Sequence, residues 1–241
     1  MSPALSANRK RPGRKGGLPR VAAIVPAAGY GKRLGAGRKK PFVLLRNKPI
    51  ASYALKVLDG CPLIDAIIVA SEKSCIKDFK VLIARYGFKK IKDVVAGGRT
   101  RQASVANCIR KIPPSYDIVL IHDAARPFID ETMIRKAIRL AEKFGACIVA
   151  VPEFDTVKLA DKRLFVKKTL DRKNIYQAQT PQVFRYDVIK KAYAAFKKLD
   201  GFTDDAGLVE NLGMKIKILE GSRGNIKITT REDLKLAEVL L

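Results

Sequence analysis

The sequence predicts an α/β fold, a single domain with a mostly parallel sheet, helices on both sides and a projecting β-hairpin arm. Three observations carry this. Short runs of Val, Ile and Ala alternate along the chain with stretches of helical apolar spacing, the βαβα order of a parallel sheet. Aromatic residues make up only 7% and tryptophan is absent, which suits aliphatic strands buried on both faces better than an aromatic-rich sandwich. A length of 241 residues holds one such domain with a substantial core and would cramp two.

Residues 1–19, rich in Pro, Gly, Ser and bases, have no periodic apolar face and are expected to form a disordered basic tail, leaving 20–241 as the folded domain. The lack of acids in this tail also matches a transit peptide in composition, although the stretch is short. Residues 21–25 read as the first buried strand, residues 50–58 as a helix and residues 66–70 as the second strand. A helix is expected over 74–86, a third strand over 91–95, a helix over 101–112 and a fourth strand over 117–121. Asp130 is a plausible N-cap for a helix with Ile134, Ala137, Ile138, Ala141 and Phe144 on one face, before a fifth strand at 147–151. Residues 156–159 and 164–167 alternate in strand fashion around a turn at 160–163 and predict the arm, about 155–170. A lone hairpin is marginal in water, so the arm calls for a neighbour to pack on, which a second protomer would supply. Helices around 187–198, after Thr203-Asp204-Asp205 and from Arg231, with a strand at 215–219, complete a Rossmann-like order.

No apolar run approaches the roughly 18 residues of a membrane helix. Four dispersed cysteines without a CxxC pair, and one histidine, His122, argue against a zinc site. With no secretory signal, reduced thiols in the cytoplasm are the expectation. The net charge is +25, from 48 Lys+Arg against 23 Asp+Glu, and the bases of the tail account for only part of it. Such a charge suits nucleic acid, a polyphosphate substrate or a lysine-rich solvated surface. No nucleic-acid-binding signature accompanies it, so nucleic acid is not the expected partner.

In an open parallel sheet, ligands bind beyond the carboxyl ends of the strands, so chemistry is sought just after each strand. The first strand opens into a glycine-rich, basic loop from Pro26 to Lys39, where exposed backbone N–H groups and Lys32, Arg33, Lys39 and Lys40 can neutralise phosphate oxygens. An ordinary β-to-α turn would use the same glycines. The third strand opens into Gly97-Gly98-Arg99-Thr100-Arg101-Gln102-Ala103-Ser104-Val105, where the paired glycines allow close backbone approach to a base or ribose and Ser104 offers a polar contact; a turn with an N-cap also accounts for them. The fourth opens into His122-Asp123-Ala124-Ala125-Arg126-Pro127. Asp123 could meet Mg²⁺ or a substrate hydroxyl, while a helix cap or a salt bridge to Arg126 would satisfy it equally. His122 reads as a packed, hydrogen-bonded residue rather than a catalyst.

These loops, together with Asp171-Arg172, Gln179-Thr180-Pro181-Gln182, Thr203-Asp204-Asp205-Ala206 and Asn225-Ile226-Lys227-Ile228-Thr229, resemble the 2-C-methyl-D-erythritol 4-phosphate cytidylyltransferase family over residues 21–241. The resemblance implies a nucleotidyltransferase that moves CMP from CTP to methylerythritol phosphate, releasing pyrophosphate, in non-mevalonate isoprenoid synthesis. It implies Mg²⁺, with ligands the sequence does not name, and a homodimer in which the hairpin arms embrace the partner. By motif, Arg33 and Lys40 would stabilise charge on the α-phosphate, and Arg172 and Lys227 would hold the incoming phosphate. Ala27, Ala28, Gly29, Gly97, Gly98, Ser104 and Ala124 would bind CTP; Asp123, Arg126, Thr156 and Thr180 would contact the methylerythritol side. The family's Pro-Lys-Gln is replaced here by Lys39-Lys40-Pro41-Phe42, which leaves Lys39 as the alternative lysine. A fused cyclodiphosphate synthase domain, present in some relatives, is not expected. Related enzymes acting on ribitol or ribulose 5-phosphate remain the competing reading within the fold, and a basic nucleic-acid-binding module the competing reading outside it.

Overall fold

The computed structural model describes residues 17–29, 31, 39–196, 199 and 201–241. The expected tail up to residue 16, Arg33 and the last residues of the helix expected over 187–198 lie outside the described residues. In chain order, β1 (Val21–Ala27) leads through a short 3-10 turn and the small hairpin of β2 (Leu44–Leu45) and β3 (Lys48–Pro49) to α1 (Ile50–Gly60). Next come β4 (Ala66–Ser71), α2 (Ile76–Tyr86), β5 (Ile91–Ala96), α3 (Arg101–Ile109), β6 (Ile118–Ile121), α4 (Glu131–Phe144) and β7 (Ala146–Pro152). The arm is β8 (Lys158–Ala160) and β9 (Val166–Thr169); β10 (Tyr176–Arg185), α5 (Tyr186–Ala195), α6 (Asp205–Glu210), β11 (Lys217–Glu220) and α7 (Arg231–Leu240) follow.

Seven strands form one sheet in the order β11-β7-β10-β6-β1-β4-β5. All neighbouring pairs are parallel except those of β10, which runs antiparallel to both β6 and β7. Because strand side chains alternate between faces, β1 feeds two cores. Val21, Ala23 and Val25 join Leu55, Phe79 and Ile134 from α1, α2 and α4 on one face; Ala22 and Ile24 join Val105, Ile189 and Leu208 from α3, α5 and α6 on the other. Burying a side chain of this size contributes about 1.5–3 kcal/mol, so these two layers dominate the driving force for the fold.

Several expected boundaries move, each for a local reason. The helix expected to reach residue 112 ends at Ile109, because Pro113 follows: the residue before proline is pushed out of the helical region, and Ile112 closes a tight turn onto Ile109 instead. Asp130 does cap α4, accepting from the Met133 N–H at 2.7 Å, but Phe144, at the helix end, lies 45% exposed between Lys143 and Lys217 rather than in the core. The arm's strands begin two residues later than expected. Asp161 Oδ1 accepts from the N–H groups of both Arg163 and Phe165, and Leu164 takes φ 66°, so the loop runs through Phe165. The last strand likewise begins at Lys217 rather than residue 215.

Besides the small β2–β3 hairpin, the element absent from the sequence reading is β10, ten residues long and interior to the sheet. Its Gln177, Gln179, Thr180, Pro181 and Gln182 are polar or lack an N–H, which reads as loop. Pro181 is tolerated because it falls in the gap between Ala178 and Gln182, where the register with β7 shifts, and its missing N–H removes no ladder bond.

Candidate active site

The chain builds β1, β4 and β5 outward in one direction and then places β6 on the other side of β1. That reversal opens a crevice beyond the carboxyl ends of the strands, the place where ligands bind in such sheets. It measures about 1030 Å³. Of the residues expected at the site, Ala27, Ala28, Gly29, Lys40, Gly97, Gly98, Ser104, Asp123, Ala124 and Lys227 line it. Thr180 is buried beneath Asp123, and Arg126 sits behind the same loop. Thr156 and Arg172 are exposed at the root of the arm, where Arg172 donates to the Phe154 carbonyl.

One wall is shaped by close packing. A Cβ on Gly97 would stand 2.5 Å from Ala28 Cβ and 2.9 Å from Ser104 Oγ, so no larger residue fits between the two loops. Ser104 is committed to this turn: its hydroxyl donates to the Thr100 carbonyl (2.9 Å) and accepts from the Gly98 N–H (3.0 Å). Thr100 caps α3 by accepting from Ala103 N–H at 3.1 Å. The glycine pair thus serves both a turn and an open wall.

The opposite wall is ionic. Asp123, at the end of β6, places Oδ1 2.8 Å from Arg101 Nε and Oδ2 2.6 Å from Lys227 Nζ. Burial alone would raise its pKa, but Arg101 and Lys227 more than offset this and hold the carboxyl well below the usual carboxylate range. The salt bridge to Arg126 offered by the sequence does not form. Arg126 instead donates to the Asn225 carbonyl at 2.6 Å, because the segment carrying Asn225 and Lys227 is pinned against the β6 loop by Ile228 N–H to Ala125 O (2.9 Å). Arg101, which the sequence reading quoted in its motif without giving it a role, proves to be a wall residue. Its partners lie 22 and 104 residues away, so no local spacing marks it.

Beneath this wall His122 is fully buried, with Nε2 3.0 Å from the Arg126 carbonyl and Nδ1 3.0 Å from Thr180 Oγ1. A carbonyl only accepts, so Nε2 carries the proton and Nδ1 accepts from Thr180, whose oxygen in turn accepts from the Asp123 N–H at 3.1 Å. Burial pushes the imidazole down to about 4, and it is neutral at physiological pH. The packed, structural reading of His122 holds. Of the two lysines after the first loop, Lys40 lines the crevice and packs its Cβ where a Gly31 side chain would be, whereas Lys39 Nζ lies 2.5 Å from Glu72 Oε2.

The family model described as IspD, 2-C-methyl-D-erythritol 4-phosphate cytidylyltransferase, matches residues 21–241. The chain belongs to this family. A relative of that name from Geotalea uraniireducens is 44% identical over 227 residues, covering 92% of this chain and 97% of the relative. Another, from Clostridium acetobutylicum, is 41% identical over 225 residues, covering 91% and 96%. Among solved structures, the 4-diphosphocytidyl-2C-methyl-D-erythritol synthase of Anaerococcus prevotii superposes with a TM-score of 0.82 at 31% identity, covering 92% of this chain and 95% of that one. The Francisella tularensis cytidylyltransferase gives 0.77 at 33% identity, covering 92% and 100%.

Membership fits the donor chemistry of the crevice. Among the described residues no group of three His, Cys, Asp or Glu side chains is placed to hold a metal ion. The crevice carboxylates are Asp123 and Glu72, each already beside a cation.

Three outcomes follow from this geometry. Because the folded state disfavours the His122 imidazolium, its contribution to stability is whole above pH 6.5 and is lost as the pH falls toward 4, a loss of up to about 3 kcal/mol. The slope of urea unfolding free energy against pH between 6.5 and 5 should flatten in His122→Gln, and an NMR titration of this single imidazole near 6.5 would show the assignment wrong. Gly97→Ala should destabilise the fold by about 1–3 kcal/mol through overpacking. Gly29→Ala, whose Cβ meets nothing within 4 Å, should keep the wild-type melting temperature but lose thermal protection by CTP.

Proposed function

We propose that the crevice aligns CTP with 2-C-methyl-D-erythritol 4-phosphate and transfers CMP between them, giving 4-diphosphocytidyl-2-C-methyl-D-erythritol and pyrophosphate for isoprenoid precursor synthesis. The observation that carries the reading is the crevice's two-sided construction, with small residues and glycines on one wall, Arg101 and Lys227 around Asp123 on the other, and Lys40 packed against Gly31 of the first loop. An acceptor phosphate oxygen attacks the α-phosphorus, a new P–O bond forms, the bond to the bridging oxygen breaks and pyrophosphate departs with the electron pair. No protein nucleophile is needed. Two polyanions must be brought together in line, which demands alignment and charge neutralisation.

On this reading Ala27, Ala28, Gly29, Gly97, Gly98, Ser104 and Ala124 receive the nucleotide by close backbone approach. Arg33 and Lys40 offset the charge that grows on the α-phosphate. Lys227 and Arg172 hold the acceptor phosphate, while Asp123, Arg126, Thr156 and Thr180 form or support the polyol side. Mg²⁺ bound to the triphosphate would supply further positive charge, and among the described residues the crevice carboxylates that would serve it as hard oxygen donors are Asp123 and Glu72.

Arg172 and Thr156 stand on an arm that leaves the sheet at the crevice end, between the end of β7 and the start of β10. Leu159, Leu164, Phe165 and Val166 on this arm are exposed. A homodimer in which each arm clasps the partner would cover them and bring both residues to a crevice. The four cysteines are buried and unpaired, in keeping with a cytoplasmic enzyme.

Pyrophosphate release from CTP and Mg²⁺ should be far faster with methylerythritol 4-phosphate than with ribitol or ribulose 5-phosphate; preference for a pentose-derived phosphate would overturn the acceptor. In the same assay Lys40→Ala should lower kcat by about 10²-fold or more with little change in acceptor KM, and Lys39→Ala should stay near wild type. Analytical ultracentrifugation should give a dimer, and Phe165→Asp with Leu164→Asp should give a folded monomer of low activity. A wild-type monomer with full activity would remove the arm from the site.

A further inference from the structure

We propose, resting on the acceptor assignment above, that Asp205 and Tyr193 are positioning residues for the acceptor half of the reaction, acting through Arg101 on Asp123 and Lys227. Arg101 is shared between two carboxylates: Nε donates to Asp123 Oδ1 at 2.8 Å and NH1 donates to Asp205 Oδ2 at 2.6 Å. Asp205 is 0% exposed and does not line the crevice. Its other oxygen accepts from Tyr193 OH at 2.5 Å, and its N–H and that of Ala206 donate to Gln182 Oε1, both at 3.1 Å. The line from Tyr193 through Asp205, Arg101 and Asp123 to Lys227 therefore starts in the core and ends at the crevice, with charges alternating along it.

A tie between α6 and α3 would not require this construction. Buried ion pairs are costly, and apolar residues of similar volume often hold elements together at least as well. What the shared guanidinium does provide is a fixed division of Asp123. A guanidinium facing a single carboxylate tends to grip both oxygens. With NH1 engaged by Asp205, Arg101 takes only Oδ1, and Oδ2 is left to Lys227. Lys227 is thereby held at the wall, its side chain 38% exposed and within reach of an anion in the crevice. Tyr193 keeps Asp205 turned toward Arg101. Burial and then the neighbouring Asp205 carboxylate push its phenol well above the ordinary value, so it remains a donor.

Removing the Asp205 charge frees NH1 to close on Asp123 and displace Lys227. The test is steady-state kinetics with each substrate varied in turn, on full-length variants whose folding is checked by thermal unfolding. Asp205→Asn should raise the KM for the polyol phosphate by about tenfold or more and leave the KM for CTP within about twofold. Arg101→Lys keeps the charge but lacks the fork, and should fail to restore the acceptor KM. Tyr193→Phe, which keeps shape and both ion pairs, should raise the acceptor KM by about fivefold with little change in melting temperature, and it carries the test if Asp205→Asn does not fold. Equal changes in both KM values, or a lowered melting temperature with unchanged KM values, would overturn the proposal. A wild-type enzyme that prefers another polyol phosphate would overturn the acceptor assignment alone, because the same ratios can then be measured with that acceptor.

Discussion

A carboxylate at the buried end of β6 must be balanced, and the way Asp123 is balanced organises the crevice. Ionised Asp123 would be intolerable alone at 6% exposure, so it draws Arg101 from α3 on one side and Lys227 from the segment before α7 on the other. Its backbone N–H is taken by Thr180 of β10, and Thr180 in turn fixes the His122 tautomer. Three parts of the chain distant in sequence converge on this one residue. The antiparallel insertion of β10 makes this possible, because running against β6 carries its first half past the end of β6 and beneath the crevice.

The two walls reach selectivity by different physical routes. On the proposed assignment the nucleotide side depends on what is missing: side chains at Gly97 and Gly98 would collide with Ala28 and Ala103, and their absence lets these loops pack closely beside the crevice. The acceptor side is made from charges that already have partners. On the same assignment, a phosphate arriving there would exchange a carboxylate partner of Lys227 for its own oxygens and meet a preorganised ammonium, with little ordering left to do on binding.

The sheet was legible where burial is two-sided. The runs at 21–25, 66–70 and 117–121 are nearly all aliphatic because parallel strands in this sheet are covered on both faces, and they were found within a residue or two. β10 was not, because its Gln179, Thr180 and Gln182 are buried polar residues whose partners lie elsewhere in the chain, and polarity reads as loop. The arm's register was misplaced for a local reason, the Asp161 side chain extending the turn. At the site, the glycine turns and Asp123 were visible because they follow strands directly. Arg101 and Asp205 were not, because what distinguishes them is a pairing across 104 residues, which no local spacing records.

The net charge of +25 gains meaning only in relation to the crevice. A uniformly basic surface attracts any polyanion and discriminates among none. In the crevice Arg101 and Lys227 are both countered by Asp123, and Glu72, which also lines it, lies beside Lys39. An anion is therefore drawn in by the long-range field of the whole molecule but retained only if it competes with a carboxylate at a defined oxygen position. On the proposed reading, nucleic acid, with its single-charge phosphates and bulky backbone, would gain from the first effect alone. A triphosphate and a phosphomonoester, which present several charged oxygens at one end of a small molecule, gain from both. That difference turns a basic protein into a selective one without a dedicated repulsive element.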